Sequence, residues 1–431
     1  MAGAAQAKST CSIRRADKAR STLASQAMQP VTIVFGAFDR HNFGDLLFAR
    51  VAEVVLRPRR LVYAGLANAD LRPFGGTRVQ ALPDVLARQR RQGIELVHAG
   101  GELLTCSAWE AAVMLLPARQ ATPLASRLDH DLATRTAWAH GRLRRPDLAP
   151  YVAAPGAPAG ALRLLHVAVG GVGLAGCEAA MQREVLDKLR RAEAVSVRDH
   201  LTHALLARAG IASRLMPDPA VLTARLLDRR IRRHAHGSAL SALRQRFPRG
   251  YLAVQFSADF GDDATLDALA RALDQSAREA GCGIALFRAG AAYWHDDIDC
   301  YRRLTARMRV PAAILPSLNL WNICALITGA RCYLGSSLHG RIVATAYALP
   351  RVNLCLPGQE GKPSKQAAYA ATWDLPAMPG VLPVHAVPEG VMQAMGTDPQ
   401  ARLQLADLLA ERCLAEYVSL CRRRESVRQH R

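Results

Sequence analysis

An alternation restricts the fold more than any other feature of this chain. Short apolar runs end in turns or polar segments and lead into helix-patterned stretches, and the series occurs twice. The first run, residues 31–36, passes through His41-Asn42-Phe43-Gly44-Asp45 into an amphipathic stretch, 46–56, with Leu47, Val51, Val54 and Val55 on one side. Strand-like runs follow at 61–64, 94–99, 162–169 and 194–197. A second series has strands at 251–256, 284–287, 312–315, 331–334 and 352–356, with helices near 263–280, 297–308, 319–329 and 341–349. Repeated strand–turn–helix units build parallel sheets covered by helices. The expected class is therefore α/β, with two Rossmann-like domains and parallel sheets facing a cleft. Ligands should bind at the carboxyl ends of the strands.

The domain limits follow from where the alternation stops. Residues 1–30 carry charges throughout and lack the apolar core of a signal peptide, so a disordered tail is expected there. Residues 31–230 form the first domain. An Arg- and His-rich stretch, 224–249, contains no apolar strand and marks the boundary; the second domain is placed at 245–385. A final helix, 398–424, is expected to pack back on the first domain. The 107–160 segment has helical stretches rich in Arg, Ala and Pro and is read as an insertion.

Composition narrows the function. The 431 residues carry a formal charge of +20, from 56 basic and 36 acidic side chains, which attracts anions. Aromatic residues make up only 5%, and the arginines are scattered instead of interleaved with stacking residues, which argues against nucleic acid. Ten cysteines form no C-x-x-C pair and read as reduced core residues, as in a cytoplasmic protein. Peripheral contact at the inner membrane stays open, since no apolar run approaches the roughly 18 residues of a membrane span.

The chemistry is expected around Tyr333-Leu334-Gly335-Ser336-Ser337-Leu338-His339-Gly340-Arg341. A small-residue turn between strand and helix offers free backbone N–H groups at a positive helix end, which suits an anion. Ser336, Ser337, Gly340 and Arg341 are assigned to substrate binding there, with His339 beside them. Arg198 ends another strand, where a guanidinium can clamp a phosphate or carboxylate. Asn42 and Asp45 occupy the first strand–helix turn, as helix caps or acceptor contacts. Gly100 and Gly101 end the third strand at the same mouth and join the substrate-binding set. Asp218 lies on a stiff Pro-Asp-Pro loop, and His98 reads as a core residue. His295-Asp296-Asp297 resembles a metal cluster but also an ordinary helix start, and no metal is assigned. Gly171-Val172-Gly173-Leu174-Ala175-Gly176 with Asp199 matches a dinucleotide fingerprint and leaves an oxidoreductase as a minor rival.

Six segments in order, HNFGD at 41–45, HAGGEL at 98–103, GGVG at 170–173, SVRD at 196–199, PDPA at 217–220 and YLGSSLHGR at 333–341, resemble the polysaccharide pyruvyl transferase family. The resemblance spans residues 31 to 357. It implies a GT-B-like fold, with the acceptor on the first domain and the donor on the second. The implied reaction moves the pyruvyl group of phosphoenolpyruvate onto two sugar hydroxyls of a cell-surface polysaccharide or its precursor, giving a ketal. Arg198 is similar to a donor-binding position and His339 to the histidine of the family's Leu-His-Gly motif, which implies general acid–base catalysis. No cofactor is implied, phosphoenolpyruvate being the donor substrate; the partner is a glycan or lipid-linked sugar. One departure stands out, since many members have arginine where this chain has Ser337. A GT-B-type glycosyltransferase using a nucleotide sugar and a non-catalytic anion- or nucleic-acid-binding protein remain the alternatives.

Overall fold

The structure, a computed structural model, describes residues 31–89, 94–154 and 162–422. The tail expected at 1–30 lies outside the described residues. The first sheet contains β1 (Thr32–Phe35), β2 (Leu61–Gly65), β3 (Ala69–Asp70), β4 (Arg78–Ala81), β5 (Ile94–His98), β6 (Leu162–Val169), β7 (Ala194–Val197) and β8 (Arg214–Leu215). Its order is β3-β4-β2-β1-β5-β6-β7-β8, parallel except where β3 meets β4. The second sheet contains β9 (Tyr251–Gln255), β10 (Gly283–Leu286), β11 (Ala312–Ile314), β12 (Cys332–Gly335), β13 (Arg351–Leu354) and β14 (Val381–Leu382), in the order β11-β10-β9-β12-β13-β14 and parallel throughout. These are two Rossmann-like domains, and they face one cleft in the GT-B-like manner.

Each sheet reverses its strand order at one place, between β1 and β5 in the first and between β9 and β12 in the second. At such a switch point the adjoining connections leave in opposite directions and open a crevice at the carboxyl ends. The segments after these four strands supply Arg40, Asn42 and Glu102 from the first domain and Ser257, Ser336 and His339 from the second.

The helices that position the site are α1 (Phe43–Val55), α2 (Ala108–Met114), α3 (Ala118–Leu128), α4 (Leu132–Leu143), α5 (His200–Arg208), α6 (Leu338–Ala346), α7 (Lys365–Trp373) and α8 (Pro399–Cys421). Residues 224–249, which lack strands, form two helices, Thr223–Ala235 and Ser238–Arg246. One buried apolar cluster runs through both domains, from Val34 and Phe43 through Phe287 and Ile323 to Tyr369 and Cys413. The α8 helix closes this cluster from behind. Its last turn accepts hydrogen bonds from Arg59 and Arg163 of the first domain, and Cys413 Sγ reaches Pro217 O at 3.4 Å. Across the mouth, Phe43 N–H donates to Ala289 O at 2.8 Å, and Trp373 Nε1–H donates to Arg198 O at 2.7 Å.

Candidate active site

The cleft encloses about 1080 Å³ and is lined from both domains. His339 is the second residue of α6, whose N-cap is Ser337. Its ring enters the first domain, lying over Gly44 and edge-on to Phe43 and Phe48, at centroid distances of 6.4 and 5.0 Å. Its Nε2 is buried, with no hydrogen-bond partner among the described residues, and lies 3.9 Å from Asp218 Oδ2. Burial, reinforced by the charges of Arg198 and Lys365, holds its pKa well below 6.5. The resting imidazole is therefore held in its neutral form.

Arg198 also lines the cleft, but its charge is already matched. Nη2 donates to Glu102 at 2.6 Å and Nη1 to Asp218 at 2.9 Å. Burial opposes its charge, and the two carboxylates outweigh burial, so the guanidinium stays ionised. Glu102, Arg198, Asp218 and His339 thus form a chain of contacts that ends at the free imidazole nitrogen. Asp218 serves twice, since its other oxygen accepts the Ala220 N–H.

Several expected site residues line the cleft: Asn42, Asp45, Ser336 and Ser337. Asn42 caps α1 by accepting from Gly44 N–H at 3.0 Å. Burial raises the Asp45 carboxyl to about 6, against the opposing charges of Arg40, Lys365 and Arg198. Ser337 Oγ accepts from Gly340 N–H at 3.3 Å, and Ser337 N–H donates to Gln255 Oε1 at 2.8 Å. Ser336 N–H and Oγ are similarly held, by Gln255 O and Ser257 N–H. In the first turn of α6 the N–H groups of Leu338 and His339 have no hydrogen-bond partner among the described residues.

Other expectations need correction. Arg341 does not face the cleft. Its position is two residues, about 200° of helix turn, beyond His339, so the two side chains point apart. The guanidinium is fully buried against Asp374 at 2.6 Å, Pro379 O at 2.8 Å and Asn353 Oδ1 at 3.3 Å, and its role is structural. Gly340 is not at the cleft surface either: a β-carbon there would lie 2.3 Å from the Tyr333 ring. Gly100 and Gly101, at φ values of 108° and 101°, turn the chain so that Glu102 enters the cleft, and neither lines it. The dinucleotide fingerprint is occupied by protein: Gly171 N–H donates to Thr202 Oγ1, Val172 N–H donates to Glu102 Oε1, and Asp199 caps α5. His295, Asp296 and Asp297 diverge. Asp297 caps a helix, while Asp296 is held by Gln255 Nε2 at 2.8 Å, and burial raises its carboxyl to about 7.

Sequence reasoning missed three cations of the cleft, Arg40, Lys362 and Lys365. Arg40 donates to Tyr151 Oη at 2.6 Å, and its buried Nε has no hydrogen-bond partner among the described residues. Lys365 opens α7, is exposed, and has no ion-pair partner among the described residues. It is one of only five lysines in the chain, which was the one available signal.

Residues 151–354 match the model of the family described as polysaccharide pyruvyl transferase. This part of the chain is similar to that family. The match covers Arg198, Asp218, Ser337 and His339 and supports a transferase. Arg40, Asn42, Asp45 and Lys365 lie outside the matched pyruvyl transferase segment. No curated protein matches the chain. Solved structures that resemble it share little sequence. UDP-N-acetylglucosamine 2-epimerase from Rickettsia bellii is 13% identical, with a TM-score of 0.48, over 90% of this chain and 96% of that one. The UDP-GlcNAc 2-epimerase from Neisseria meningitidis is 11% identical, with a TM-score of 0.46, over 91% and 99%. Trehalose 6-phosphate synthase from Burkholderia multivorans is 12% identical, with a TM-score of 0.43, over 91% and 94%. Among the described residues, no helix is long and apolar enough to cross a membrane.

Proposed function

We propose that the protein transfers the pyruvyl group of phosphoenolpyruvate to two hydroxyls of a sugar in a cell-surface polysaccharide or its precursor. The observation that carries this reading is His339, a neutral imidazole with a free buried nitrogen, in the matched segment and at the junction of the two domains. Two C–O bonds form at C2 of the donor, and the bond from C2 to the phosphate oxygen breaks. One hydroxyl proton ends on the methylene carbon, which becomes a methyl group; the other leaves with phosphate. His339 takes the proton of the attacking hydroxyl and, once charged, returns it. Such transfer contributes about 10²–10⁴ in rate.

The donor is an anion with a phosphate and a carboxylate. Ser337 supplies no charge, and Arg198 is committed to Glu102 and Asp218, so Arg40, Lys362 and Lys365 are the cations that support donor binding in this reading. No metal or nicotinamide enters the scheme.

Phosphoenolpyruvate-dependent phosphate release, assayed with glycan fractions as acceptors, tests the reading. Release that falls at least 100-fold in His339→Ala and at low donor in Lys365→Met supports it. Stabilisation by UDP with none by phosphoenolpyruvate would transfer the site to nucleotide-sugar chemistry.

A further inference from the structure

Three of the five tryptophans gather at the cleft and its outer wall. Trp294 lines the cleft and keeps 36% of its surface exposed. Tyr293 lies 4.8 Å from it and Trp109 lies 6.5 Å away, centroid to centroid. Trp138 packs edge-on against Trp109 at 5.5 Å, and Trp109 Nε1–H donates to Asp129 Oδ1 at 2.9 Å. The backing rings come from α2 and α4, in the segment whose purpose the sequence left open. The cluster is therefore a braced aromatic wall with one member turned to the solvent of the cleft.

The backbone at Trp294 adds a second, independent observation. Its φ is +64°, the left-handed region that a bulky L-residue adopts only against a steric penalty. Such strain persists where surrounding structure enforces it and points from the outlier toward a function. A glycine would sit at this position without strain, yet the chain holds its largest side chain there.

We propose that Trp294 is the stacking platform for a pyranosyl ring of the acceptor, braced by Tyr293 and Trp109. The inference rests on the glycan half of the function proposed above. A pyranose presents a flat face of C–H groups ringed by equatorial hydroxyls. An indole is flat, apolar and electron-rich, so it covers that face and leaves the hydroxyls to polar groups of the cleft. The platform belongs to the second domain but is backed by helices of the first, so a sugar on it bridges both.

The test uses the full chain on an array of free glycans, comparing wild type, Trp294→Gly and Trp294→Phe. Glycine removes the ring and relieves the backbone; phenylalanine keeps an aromatic face. Expected are glycan binding by wild type, at least a tenfold loss in Trp294→Gly without a fall in Tm, and substantial recovery in Trp294→Phe. The stabilisation of the protein by phosphoenolpyruvate is expected to be equal in all three. Equal glycan binding by wild type and Trp294→Gly, or no binding by wild type, overturns the platform. A loss of UDP binding in place of glycan binding overturns it too, assigning the indole to a base. The two readings fail separately. Trp294-dependent glycan binding without phosphate release from phosphoenolpyruvate sinks the donor assignment alone. Release by Trp294→Gly at an unchanged acceptor KM sinks the platform alone.

Discussion

The imidazole of His339 lies across Gly44: a β-carbon on that glycine would sit 2.0 Å from Nδ1. The glycine belongs to the first domain and the histidine to the second, so the HNFGD turn and the Leu-His-Gly motif meet as two halves of one contact. Gly44→Ala must push the ring out of its place or part the domains. A displacement near 1 Å of a reacting group costs about 100-fold in rate, and overpacking costs roughly 1–3 kcal/mol. Gly44→Ala is expected to lower kcat about 100-fold with a modest fall in Tm. Steady-state kinetics beside calorimetry check it, and wild-type kcat in Gly44→Ala would show that the contact does not fix the base.

The depressed pKa of His339 gives a direction for pH. Burial, Arg198 and Lys365 all disfavour the imidazolium, so the free enzyme holds the base form down to well below pH 6.5. Activity that needs the neutral ring is lost only as pH falls through that lowered value. The acid limb of kcat/KM is expected below 6.5, and Lys365→Met, which removes a nearby cation, should move it upward. A limb at or above 6.5 in wild type would mean that another group, such as Asp296 with a carboxyl near 7, controls the rate.

Arg198 holds two carboxylates together, and its removal leaves the buried Asp218 and the partly exposed Glu102 without their counter-charge. Breaking a buried pair in this way costs about 3–5 kcal/mol. Arg198→Met is expected to lower stability by that order in urea unfolding, and to raise the His339 pKa because a neighbouring cation is gone. A change of donor KM alone, with stability unchanged, would make Arg198 a substrate contact instead of a brace for Asp218.

The parallel sheets were legible in the sequence because strands buried on both faces read as unbroken apolar runs, as in β10 and β12. The short β3, β4, β8 and β14 were not, since two to four residues such as Arg78-Val79-Gln80-Ala81 carry no period. His339 and Arg198 showed through local motifs. Arg341 was misread because proximity in sequence hid its rotation around α6, and its true partner, Asp374, lies 33 residues on. Lys365 and Trp294 had no motif to announce them. Their relation to Asp45 and Trp109 is made only when the two domains close on each other.

A second histidine pair sets how the fold responds to acid. His98 and His166 face each other across β5 and β6, stacked at 4.1 Å with planes 11° apart. His98 Nδ1 and both ring nitrogens of His166 are buried, with no hydrogen-bond partner among the described residues. Burial lowers His166 to about 3, and burial with its neighbours lowers His98 well below 6.5. The unfolded chain therefore binds protons that the folded one refuses. Between about pH 6.5 and 3 stability falls on acidification, by up to roughly 1.4 kcal/mol per pH unit for each such histidine. His166→Leu removes the two unpaired nitrogens and one titrating group. It is expected to match or exceed wild-type stability at pH 7 and to lose less between pH 7 and about pH 5. Denaturant unfolding at both pH values reads this directly. An acid loss as steep as wild type would place the sensitivity elsewhere, in His339 or His295, which burial also holds neutral.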